Sequence, residues 1–171
     1  MTVFDIELDE PFHLTVGYTG QPGDRTFFLQ AEDTSGRVTL AIEKAQAEGI
    51  AELLTQVLAR LGERAMTDWD RAAMDLRPPL DPRWRVGSIA IGYEGEDERF
   101  VLEVGEFVPE DDRVGRSARI VFDLDQARRL AAHAADVIGQ GRPRCHLCAR
   151  PTEADGTHVC PATNGHGRLT V

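Results

Sequence analysis

All three cysteines of the chain fall within one short stretch near its C-terminus: Cys145-His146-Leu147-Cys148, nine intervening residues, then His158-Val159-Cys160-Pro161. Two thiolates at C-x-x-C spacing can turn onto one ion. Residues two apart on an extended strand face the same side, so His158 and Cys160 can complete a tetrahedron from a facing loop. The expected cofactor is zinc (Zn), held by Cys145, Cys148, His158 and Cys160. Four protein ligands leave no open position, which makes such an ion structural and not hydrolytic. A redox C-x-x-C motif normally opens a helix after a strand, whereas this one follows a helix stop, Gly139-Gln140-Gly141-Arg142-Pro143. His146 lies between the thiols and is expected to point away, and His166 is the substitute ligand should His158 not bind.

Outside this tail the means for covalent catalysis are sparse. The serines are Ser35, Ser88 and Ser117, none in a G-x-S-x-G context, and no further thiol exists. His13 and His133 fall on a predicted strand and a predicted helix, where a surface or hydrogen-bonded core histidine is the expected role. Gly20-Gln21-Pro22-Gly23-Asp24-Arg25 looks like a phosphate-cradling loop, but it leads into a strand and not into a helix N-terminus, so it reads as a hairpin turn. The acidic runs 94–98 and 110–112 lack the alternating ligands and central glycine of a calcium loop. No catalytic and no organic cofactor-binding residue is assigned.

The elements that position these groups are written twice. Residues 14–30 (LTVGYTGQPGDRTFFLQ) and 89–103 (IAIGYEGEDERFVLE) each give an apolar alternation, Gly-Tyr-x-Gly, a turn, an arginine and a second apolar run. Each is a β-hairpin. The strand 38–42 corresponds to 118–122 at an offset of 80, and the same offset carries the helix stripe Ala47, Ile50, Ala51, Leu54, Val57 and Leu58 onto Ala127, Leu130, Ala131, Ala134, Val137 and Ile138. Gln46 likewise coincides with Gln126.

The expected fold class is therefore α+β: duplicated β-β-β-α units forming a mostly antiparallel, six-stranded sheet with two helices on one face, plus a small zinc-binding tail. Its expected organisation is a duplicated domain over 1–141 (repeat one 12–61, linker 62–83, repeat two 84–139) and a zinc-knuckle tail over 142–171. Residues 2–8 alternate apolar and acidic and are expected to add an edge strand. Within the linker, Thr67 reads as the N-cap of a short helix reaching about Asp75, and Arg77-Pro78-Pro79-Leu80-Asp81-Pro82 must be extended.

The net charge of -10 resolves into +2 from Gly141 onward and -12 on the body. An acidic body repels phosphate backbones and anionic membrane surfaces, which argues against general nucleic-acid or lipid binding. The N-terminus lacks the basic and apolar regions of a secretory signal and no run is long enough to span a bilayer, so the expected location is cytoplasmic.

Gly23-Asp24-Arg25-Thr26-Phe27-Phe28-Leu29-Gln30-Ala31, Ile42-Glu43-Lys44-Ala45-Gln46, Arg85-Val86-Gly87 and the tail from Cys145 to Gly165 together resemble the actinobacterial family known as domain of unknown function 3090. The departures are Ala149, Ala162 and His166. The resemblance implies no activity, because the family is itself uncharacterised. By elimination, the expected function is that of a zinc-stabilised, non-catalytic binding or adaptor protein for a protein partner or one small ligand. The alternative is an enzyme acting on a small phosphorylated or nucleotide-like substrate through Arg25, Gln30, Glu43 and Lys44 of the first repeat.

Overall fold

A computed structural model describes residues 3–109, 114–140, 145, 147–148, 158–160 and 168–169. The chain divides into two compact units, Met1–Ile138 and Gly139–Val171. The first unit runs β1 (Ile6–Asp9), β2 (His13–Gln21), β3 (Asp24–Asp33), β4 (Gly36–Ile42), α1 (Lys44–Arg60), a 3-10 turn (Ala72–Met74), β5 (Val86–Glu94), β6 (Arg99–Glu106), β7 (Ser117–Phe122) and α2 (Leu124–Gly139). The second contains β8 (His158–Val159) and β9 (Arg168–Leu169), paired antiparallel.

The fold is α+β with two helices and mostly antiparallel sheets. Both hairpins form in matching register: Tyr18 pairs with Phe27 across the first, and Tyr93 with Phe100 across the second. Each pair also brings its rings together, with centroids 5.7 and 5.2 Å apart. The helix stripes face the core as their spacing dictates. Of the twelve stripe positions only Val57 and Ile138 fall short of full burial, and both still pack against the core.

The expectation of one six-stranded sheet is corrected in its connectivity. The strands separate into a three-stranded sheet, β2-β3-β4, and a four-stranded sheet, β1-β7-β6-β5. The physical reason is an exchange between the repeats. The predicted edge strand β1 forms, but it runs parallel to β7 of the second repeat, extended by Glu10 N–H donating to Val121 C=O at 2.9 Å. In the other half, Ala41 N–H donates to Trp84 C=O at 3.0 Å and Ala41 bridges Arg85 in parallel. Val121 is Ala41 moved by 80 and Arg85 is Glu10 moved by 75, the hairpin offset that carries Gly17 onto Gly92. Each repeat thus sends the segment before its hairpin, β1 in one case and the bridge residues 83–85 in the other, to the third strand of the other.

The same exchange recurs at the helix starts. Gln46 Oε1 accepts from Glu43 N–H at 2.8 Å while its Nε2 donates to Val86 C=O of repeat two. Gln126 accepts from Asp123 N–H while its Nε2 donates to Pro11 C=O, just ahead of the first hairpin. These glutamines satisfy a free helix donor with one atom and tie the repeats together with another.

The linker does not form the expected helix from Thr67. Among the described residues 62–83 the only helical turn is Ala72–Met74, opened by Asp70, whose carboxylate accepts from the N–H of Ala72 and Ala73. Tertiary partners hold the chain out of a longer helix: Trp69 Nε1 donates to His133 Nδ1 at 3.3 Å, and Arg71 pairs with Asp136 at 3.3 Å. The linker then covers the outer face of the first sheet. Thr15 Oγ1 donates to Met74 C=O at 2.6 Å, and a Cβ on Gly17 would meet Leu76 Cγ at 2.6 Å. The counterpart Gly92 has nothing within 4 Å of such a Cβ.

Candidate metal site

The second unit brings Cys145, Cys148 and Cys160 together, with their three sulfurs within 4.8 Å of one another. Cys145 and Cys160 are buried, with sulfurs 3.8 Å apart, and all three residues are free thiols. The C-x-x-C spacing works through the backbone, since Leu147 N–H turns back to donate to Cys145 Sγ at 3.4 Å. Burial alone pushes the Cys145 thiol up, but donation from the Cys148 and Leu147 N–H groups and the neighbouring thiols outweighs it and leaves Cys145 below the ordinary thiol value. Three clustered thiols, with Cys145 biased toward thiolate, form a site a metal ion could occupy.

His158 is on β8, two residues ahead of Cys160. Its side chain lies outside the described residues, as do the whole of His146, Ala149, Ala162 and His166.

The four body residues considered as ligand contacts have structural partners. Gln30 is fully buried; its Nε2 donates to Thr39 Oγ1 at 2.9 Å and to Arg77 C=O at 3.0 Å, and its Oε1 accepts from Arg77 N–H at 2.8 Å. Arg25 lies over the Tyr18 ring, 4.2 Å from its centroid. Glu43 precedes α1 and pairs with Arg85, while Lys44 pairs with Glu48 one helical turn on, at 3.8 Å. A surface recess on the four-stranded sheet contains Arg99 and Arg119, but Arg99 pairs with Asp9 and Glu10, and Arg119 with Glu94.

Sequence reasoning does not reach the polar network at the linker. Glu32 accepts from Arg37 twice and from Arg77 at 2.9 Å, and Arg37 also donates to the carbonyls of Arg77 and Pro78. Against partial desolvation, the hydrogen bonds from Arg77 and Arg37 hold the Glu32 carboxyl below its ordinary value. Arg77 lies 45 residues from Glu32 and 40 from Arg37, so its part in the network leaves no local signal.

His13 and His133 are both buried, and burial is the main cause that lowers each below the ordinary value of 6.5. Arg77 adds to the shift at His13, whereas Asp136 opposes it at His133. The unfolded chain therefore takes up protons first as pH falls. We expect stability to be flat above pH 6.5 and to fall below it, before the carboxylates titrate, in urea titrations from pH 7.5 to 5. Replacing either histidine by Gln is expected to reduce that slope, and an unchanged slope in both variants would remove the histidines as its cause.

Among the described residues no helix is long and apolar enough to cross a membrane. No curated protein and no solved structure matches the chain. The family described as "Protein of unknown function (DUF3090)" matches residues 6–160, from β1 through both repeats to the last of the three clustered cysteines. The chain belongs to this family.

Proposed function

We propose that the chain is a zinc-stabilised, non-catalytic binding or adaptor protein of a reducing, cytoplasmic compartment, with Cys145, Cys148, His158 and Cys160 as the zinc ligands. The observation that carries this reading is the cluster of three sulfurs within 4.8 Å. Soft thiolates favour zinc over magnesium or calcium, and a histidine as fourth ligand closes the tetrahedron with no position left for substrate. Compartment enters because an odd set of free thiols keeps its metal-binding form only under reducing conditions. In this reading the tail, about 142–171, is a separate metal-folded unit beside the duplicated domain, and the partner is a protein or one small ligand.

The binding role is favoured over an enzyme because Arg25, Gln30, Glu43 and Lys44, the residues the enzyme would use, already serve the hairpin, the linker and the start of α1. A thermal-shift screen of the zinc-loaded protein against phosphorylated metabolites, followed by a turnover assay on every hit, tests the choice. No turnover is expected. Conversion of a stabilising metabolite, lost on Lys44→Ala with the fold intact, would establish the enzyme instead.

A further inference from the structure

The two repeats treat the open edge of their sheets differently. β2 and β5 are terminal strands of their sheets, and the hairpin offset of 75 places Leu14 on Ile89, Val16 on Ile91 and Tyr18 on Tyr93. In the first sheet this edge is closed. Leu14 and Val16 are 5 % and 0 % exposed, and the Val16 carbonyl, pointing off the edge, accepts from His133 of α2. Trp69 of the linker holds the other nitrogen of that imidazole.

Among the described residues the same edge of the second sheet is open. Ile89 and Ile91 are only half-buried, and the residue of α1 at the place of His133 is Leu53, which has no donor to offer the Ile91 carbonyl. Leu53 is itself half-buried and sits one helical turn before half-buried Val57. The matching registers Val16↔Leu29 and Ile91↔Leu102 put the backbone groups of Ile89, Ile91 and Tyr93 outward, where Val16 is. A terminal strand with no charge from Val86 to Tyr93 and a half-covered apolar face is a template for another strand.

We propose that β5 is the docking edge for a second copy of this chain, joined antiparallel about a twofold axis through Ile91. The sequence of β5 is self-complementary in that register. Ile91 meets the partner's Ile91, Tyr93 meets the partner's Ile89, and Glu94 meets the partner's Ser88 with no like charge opposite. Residues 88–94 suffice for this pairing, which leaves Trp84 and Arg85 free to keep their contacts with β4. The twofold pairs the β5 edge of each copy with that of the other, so pairing through β5 stops at a dimer.

Sedimentation velocity on the full, zinc-loaded chain tests the inference, at concentrations up to about 100 µM to reach weak interfaces. The expected species is a dimer of the 18.9 kDa chain. Ile91→Lys puts a charge on the edge, and Leu53→His copies the cap that closes the other half. Each is expected to weaken dimerisation at least about tenfold, or 1.4 kcal/mol, with an unchanged far-UV circular dichroism spectrum. Should Ile91→Lys fail to fold, Leu53→His decides alone. A strict monomer across the range, a higher oligomer, or a dimer that tolerates the folded variants would overturn the proposal.

Discussion

Replacing Cys160 by Ser is expected to disorder the second unit while leaving the duplicated domain folded. The buried Cys160 sulfur sits 3.8 Å from that of Cys145, and a unit of only 33 residues, Gly139–Val171, is too short to build a large apolar core without a metal. Structural zinc sites contribute on the order of 10 kcal/mol to folding, so under the proposed zinc ligation loss of one thiolate removes most of what holds the unit together. Hydrogen exchange should show amides near residues 145–160 losing protection by orders of magnitude in the variant, and equally in wild type treated with a strong chelator. Amides of β3, β6 and both helices should keep theirs. Cooperative collapse of the whole chain on chelation would show that the metal organises the first unit as well.

Gln30→Ala is expected to cost the first unit as much stability as truncating a buried core aromatic. Gln30 satisfies both the N–H and the C=O of Arg77 and also bonds Thr39, all from a fully buried position. Truncation leaves peptide groups without partners and a cavity beside them, a combination that costs about 3–5 kcal/mol. For a chain of this size that corresponds to a melting temperature lower by roughly 10 °C. The linker should also loosen, visible as faster proteolysis between Arg64 and Arg83. A loss below about 1 kcal/mol would mean that water replaces the amide and that the linker is not anchored there.

Gln30 also shows where sequence reasoning stops. An amide on a β-strand looks like a surface group or a ligand contact, and nothing nearby says that a peptide 47 residues on needs its donor and its acceptor. The hairpins and the helix stripes were legible because each is set by neighbours within a few residues: alternation and 3.6-residue spacing. Duplication was legible for the same reason, as local patterns recurring at fixed offsets.

The exchange of first strands between repeats was not, since alternation marks a strand without naming its partner. The failed helix after Thr67 is a case of tertiary contacts overriding local preference: Trp69 and Arg71 find His133 and Asp136 on α2. At the candidate metal site the sulfurs of Cys145, Cys148 and Cys160 do come together, in keeping with C-x-x-C spacing and a third thiol close in sequence.

X-ray absorption at the zinc edge, on protein purified without chelator, tests the proposed zinc site most directly. One zinc per chain is expected, with three sulfurs at about 2.3 Å and one nitrogen at about 2.0 Å. His158→Ala should remove the nitrogen, and Cys148→Ser should remove a sulfur. Protein free of zinc after expression in zinc-replete medium, or zinc in a shell of oxygens alone, would contradict the account.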